Sequence, residues 1–135
     1  MLTFPESEID LRERSPLALA FVGDGVIELL VRARLVAESR MPAGALHRSA
    51  VEMVSARGQF AALHLLEPML TEQEADIVRR GRNASKATVS KNASAEEYRA
   101  STGLEALFGW LYLQNRLERV EELFEPIWQR HLEMK

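Results

Sequence analysis

The chain has no cysteine, which excludes disulfide cross-links and thiolate metal sites and fits a reducing compartment. No apolar run comes near the ~20 residues that a membrane-spanning helix needs. The first ten residues, MLTFPESEID, are acidic where a secretory signal would be basic and then apolar. The expectation is therefore a cytoplasmic protein with no membrane partner. Strand-like alternation of apolar and polar residues is missing too, as are internal repeats. What is present is a chain of 135 residues, 47% hydrophobic. That suits one domain spanning 1–135 and burying roughly two-thirds of its extended surface.

In place of strands the chain carries helix signals from end to end, and the expected class is all-α. Residues 1–14 are polar and irregular. Ser15-Pro16 opens a long first helix to about Glu38. Its first half is apolar on all sides and must be covered, with another subunit as one way to do so. A turn is expected over 39–44, with Pro42 and Gly44, followed by helices over about 45–56 and 57–66. Leu46, Ala50, Val51 and Val54 form the expected inner face of the first of these, and the second stops before Pro68. Thr71-Glu72-Gln73-Glu74 and Ser94-Ala95-Glu96-Glu97 are capping boxes, opening helices that run towards Arg82 and Gln114. Leu104, Leu107, Phe108, Leu111 and Tyr112 make the core stripe of the latter. Between them, 83–94 (NASKATVSKNAS) has no apolar periodicity and reads as a loop. The last helix, about 117–132, turns Val120, Leu123, Phe124, Ile127 and Trp128 inward, and Pro126 should kink or split it.

Two of these helices carry an acid where packing would have none. Asp24 lies between Gly23 and Gly25 in LALAFVGDGVIELLVRAR, and Glu105 lies between Gly103 and Gly109 in STGLEALFGWLYL. A glycine inside a helix costs about 1 kcal/mol relative to alanine, and a lone buried carboxylate costs more. If the glycine-bearing faces pack closely, the two acids converge and repel each other unless a divalent cation lies between them. Oxygen ligands, without cysteine or paired histidines, select Mg²⁺ or Mn²⁺ over zinc. The alternative for Asp24 is a helix N-cap in a turn.

The net charge of −3 is unevenly spread. From Arg79 to Arg99 the cations Arg79, Arg80, Arg82, Lys86, Lys91 and Arg99 meet only Glu96 and Glu97, a local +4 against −7 elsewhere. A basic segment on an acidic body holds a polyanion locally while the rest repels it. An ordinary solvated loop is the alternative.

Ala20-Phe21-Val22-Gly23-Asp24-Gly25-Val26 resembles the signature helix of ribonuclease III, and Thr102-Gly103-Leu104-Glu105-Ala106-Leu107-Phe108-Gly109 resembles its second acidic helix. Val54-Ser55-Ala56-Arg57, Arg80-Gly81-Arg82-Asn83-Ala84 and Tyr98-Arg99-Ala100-Ser101-Thr102 are similar to the minimal branch of that family, Mini-ribonuclease III, and stand in its order. The resemblance implies an all-α dimeric endonuclease that cuts double-stranded RNA with Mg²⁺, or Mn²⁺ as a substitute, leaving 5′-phosphate and 3′-hydroxyl ends. It suggests precursor large-subunit (23S) ribosomal RNA as the substrate. Asp24 and Glu105 would then be the catalytic, metal-binding pair, and Phe21 the centre of the dimer interface.

Duplex RNA presents phosphates and shape rather than a readable groove. Arg79, Arg82, Asn83, Lys86, Lys91, Asn92 and Arg99 are the side chains expected to track its backbone, in and around the basic loop 83–94. Leu17, Ala20 and Thr102 stand where larger ribonuclease III enzymes carry acids, so the chain offers fewer metal ligands, and one firmly held cation is the expectation. Glu28 is expected to be a surface or intersubunit charge, His47 structural or substrate-facing, and His64 and His131 incidental. The alternative function is a non-catalytic double-stranded-RNA-binding or ribosome-associated protein on the same fold.

Overall fold

The Ser15 hydroxyl accepts the Ala18 N–H at 3.0 Å and Pro16 fills the first turn, which starts α1 (Pro16–Glu38) where the sequence signals put it. The structure, a computed structural model, describes residues 11–86 and 94–134. After α1 come α2 (Ala43–Val54), α3 (Ala56–Leu66), α4 (Glu72–Ala84), α5 (Ala95–Leu113) and α6 (Leu117–Glu133), with single 3-10 turns at Leu11–Glu13 and Glu67–Met69. No strand occurs among the described residues, in keeping with the all-α expectation.

Helix α5 is the axis of the molecule. From Ala100 to Leu111 every residue except Glu105 is buried, because α1, α3, α4 and α6 all pack against it. Glycine sets how near α1 can come. A Cβ on Gly23 would stand 1.6 Å from the Glu105 carbonyl oxygen, and one on Gly109 would stand 1.9 Å from that of Leu19. On the other side of α5, α4 makes a similar close approach through Gly81 and Gly103. The layers between are filled by Leu19, Val31, Leu63, Leu66, Leu104, Leu107, Phe108 and Leu123, all nearly inaccessible to solvent.

Ion pairs fasten α6 to the rest. Arg119 grips the fully buried Glu74 with both arms, Nε to Oε2 at 2.8 Å and a terminal nitrogen to Oε1 at 2.7 Å, and also donates to the Met69 carbonyl. Burial pushes the Glu74 carboxyl up, but these hydrogen bonds and the Thr71 backbone N–H hold it below its ordinary value. Arg34 of α1 reaches Glu125 at 2.5 Å and lies over the rings of Phe124 and Trp128.

Several details depart from the sequence reading. α2 begins at Ala43, so Gly44 is helical, and it ends at Val54. Ser55 ends it early because its hydroxyl caps α3, accepting the Gly58 N–H at 3.1 Å. The buried face of α2 is Ser49, Ala50 and Met53, while Val51 is exposed. α4 continues to Ala84, so Asn83 is helical rather than part of the loop, and the Ser85 N–H closes the helix onto the Gly81 and Arg82 carbonyls. Pro126 does not split α6. The carbonyl it deprives of a partner belongs to exposed Glu122, and buried Leu123, Phe124, Trp128 and His131 anchor the helix on both sides of it. Tyr112 and Ile127 are only half-buried. Residues 1–10 and the loop segment 87–93 lie outside the described residues.

Candidate metal centre and nucleic-acid interface

Asp24 lies in the middle of α1, exposed, and is not an N-cap. Because Gly23 touches the Glu105 backbone, the next side chain on α1 comes alongside that of Glu105, within hydrogen-bonding reach. Burial first, and then the negative charge of Asp24, push the Glu105 carboxyl up to about 8. A hydrogen bond from Gln59 Nε2 to Glu105 Oε2 at 3.3 Å acts in the opposite direction. Among the described residues no lysine or arginine pairs with either carboxylate.

The donor set is two hard oxygen ligands whose mutual repulsion a divalent cation would relieve, which fits Mg²⁺ or Mn²⁺. Among the described residues no group of three or more histidine, cysteine, aspartate or glutamate side chains is assembled for a metal. Coordination beyond the pair would fall to water and phosphate oxygens. Leu17, Ala20 and Thr102 add no acid to this set. Leu17 is exposed, Ala20 is buried, and Thr102 is buried with its hydroxyl engaged by the Tyr98 carbonyl at 3.2 Å and the Ser85 hydroxyl at 3.3 Å. Glu28 pairs with Arg32 on its own helix at 3.0 Å. His47 is exposed on α2, His64 stacks on Phe60, and His131 is buried against Trp128.

Gln59 is the residue at this centre that sequence reasoning missed. Its signal was an amide in register with Ala62, Leu63 and Leu66, the apolar inner face of α3. Its Nε2 also donates to the Val54 carbonyl at 3.0 Å, and its Oε1 is buried without a hydrogen-bond partner. An unpaired buried oxygen of this kind costs about 1–3 kcal/mol.

The cations form a second group, along the edge where the end of α4 meets the start of α5. Arg79, Arg82 and Asn83 lie on the last turns of α4, Lys86 follows them, and Arg99 lies near the start of α5. The Ser85–Thr102 hydrogen bond ties the two helix ends together. Arg79 is paired with Asp76, and the stem of Arg82 packs against Gly103. Asn83, Lys86 and Arg99 are exposed. Lys91 and Asn92 lie outside the described residues. On α1, Phe21 is 84% exposed, and Leu17, Leu29 and Val36 extend an apolar stripe along the same outward side.

Residues 17–116 match the Ribonuclease III domain family. The chain is 49% identical to a Mini-ribonuclease 3 of Symbiobacterium thermophilum over 110 residues, 82% of this chain and 85% of that protein. It is 42% identical to a Mini-ribonuclease 3 of Enterococcus faecalis, over 84% of this chain and 88% of that one. The fold is similar to that of a crystallised protein from Fusobacterium nucleatum, with a TM-score of 0.80 and 26% identity, covering 89% of this chain and 96% of the other. The chain belongs to the ribonuclease III family, is similar to its Mini-ribonuclease 3 branch, and is an endoribonuclease.

Proposed function

We propose that this single-domain protein is a cytoplasmic, Mg²⁺-dependent endonuclease for double-stranded RNA, with precursor large-subunit (23S) ribosomal RNA as its substrate. The observation that carries the reading is the meeting of Asp24 and Glu105 at the α1–α5 crossing, two carboxylates with no protein cation between them among the described residues. In this reading they hold one cation. The chemistry a divalent cation supplies when bound there is activation of water and neutralisation of phosphate charge.

The chain's own residues do the rest. Asp24 and Glu105 would supply oxygen ligands, Glu105 giving up the proton that burial and the nearby Asp24 charge favour on it. Arg79, Arg82, Asn83, Lys86, Lys91, Asn92 and Arg99 hold backbone phosphates and keep the duplex in register, so that one phosphodiester lies at the acid pair. Cleavage would leave 5′-phosphate and 3′-hydroxyl ends. The exposed stripe of Leu17, Phe21, Leu29 and Val36 supports a two-fold dimer with Phe21 at its centre, which would present two such centres to one duplex.

The test is to incubate the purified protein with long double-stranded RNA, single-stranded RNA and precursor ribosomal RNA, each with Mg²⁺, with Mn²⁺ and with chelator. Cutting of duplex RNA that stops with chelator, with 5′-phosphate ends on the products, is expected. Binding of duplex RNA with no cutting under any metal condition would favour a non-catalytic RNA-binding role instead.

A further inference from the structure

Gln59 is 2% exposed and lies where packing alone calls for an apolar side chain, beside a small apolar void lined also by Ile27, Val31, Leu104 and Phe108. Its two neighbours in hydrogen-bonding range, the Val54 carbonyl at the end of α2 and Glu105 Oε2, are both served as acceptors. Only the NH₂ side of the amide satisfies both, so the orientation is dictated by its surroundings. That orientation strands Oε1, since an apolar void offers a water molecule none of the further polar partners it needs. An unpaired buried oxygen calls for an explanation, and a role for the amide nitrogen in the site is one that the Glu105 hydrogen bond supports.

We infer that Gln59 is a positioning residue for the reaction: its amide, fixed at one hydrogen by the end of α2, holds Glu105 Oε2 with the other and so orients the carboxylate towards the site shared with Asp24. α3 starts at the Ser55 cap, four residues before Gln59, so the amide is presented from a rigid first turn rather than from a loop. The inference rests on the metal-binding role proposed above for Asp24 and Glu105. Side chains that orient a metal ligand in this way usually change metal affinity by about 10–100-fold when removed.

The experiment measures Mn²⁺ binding to the full RNA-free chain by the loss of the free-ion electron paramagnetic resonance signal, alongside thermal unfolding and cleavage at rising Mg²⁺. Gln59→Met removes the donor and the stranded oxygen together at similar volume. Gln59→Asn keeps an amide one methylene too short, and serves if the first variant does not fold. In whichever variant folds, Mn²⁺ should bind about 10–100-fold more weakly than to wild type, and kcat should recover towards wild type at high Mg²⁺. Binding within about threefold of wild type, whether or not the melting temperature falls, would make Gln59 a packing residue only and overturn the inference. A wild-type chain that binds no Mn²⁺ would overturn the metal-site reading itself, and the inference with it.

Discussion

Gly23 and Glu105 meet backbone to backbone, so closely that a single methyl group on Gly23 would stand 1.6 Å from the Glu105 carbonyl oxygen. This contact fixes where Asp24 and Glu105 lie relative to each other. Gly23→Ala should therefore force α1 off α5, destabilising the protein by more than the ~1–3 kcal/mol usual for overpacking. It should also separate the two acids. Chemical denaturation of the variant checks the first point, and a wild-type midpoint would contradict it.

The same contact explains how much of the centre was legible. Glycines flanking an acid inside an apolar helix state both the close approach and the charge in a few consecutive residues, so Asp24 and Glu105 stand out in the sequence. Helix starts were readable for the same local reason, since Ser15-Pro16, Thr71 with Glu74, and Ser94 with Glu97 are complete caps. Partners far apart in the chain were not legible. Gln59 reaches Glu105 across 46 positions and Arg119 reaches Glu74 across 45, and no periodicity links them. Pro126 leaves α6 unsplit because a helix anchored on both sides tolerates one lost hydrogen bond on its exposed face. The end of α2 was misread because the competing cap at Ser55 was overlooked.

Glu105 ties stability to pH. Its folded value of about 8 lies above its ordinary 4.5, so folding takes up a proton between them. The resulting stabilisation is fully present below the ordinary value and is lost as pH rises through about 8, by up to about 1.4 kcal/mol per pH unit. In chelator, wild type should therefore lose stability relative to Glu105→Gln between about pH 5 and about pH 8.5, and Mg²⁺ should offset the loss at the upper end. The same pH dependence of melting temperature for the two proteins across that range would show that burial and the Asp24 charge do not raise the Glu105 carboxyl.

Phe21 bears on assembly. Phe21→Ala removes an aromatic that contributes about 3–5 kcal/mol when buried. Wild type should sediment as a dimer at micromolar concentration and the variant as a monomer, with the helical spectrum retained. A monomeric wild type would mean that the apolar stripe on α1 serves something other than a second copy.

The basic edge should act through phosphates alone. Replacing Arg82, Lys86 and Lys91 with alanine should weaken duplex binding about equally for all sequences, each lost contact flattening the slope of log affinity against log salt by about 0.9 or somewhat less. Cleavage at saturating RNA and low salt should recover towards wild type. Normal binding with an unchanged salt slope would place the RNA elsewhere on the helical body.

The most direct measurement of the central claim is single-turnover cleavage of duplex RNA by Asp24→Asn and Glu105→Gln, with RNA affinity and helicity measured on the same samples. Each substitution keeps side-chain size and replaces one carboxylate oxygen ligand with an amide. Both variants should stay helical, bind duplex RNA about as tightly as wild type and lose Mg²⁺-dependent cutting by at least about 10³-fold, a loss of roughly 4 kcal/mol of transition-state stabilisation. Cutting at the wild-type rate by either variant would contradict the assignment of the α1–α5 acid pair as the catalytic centre.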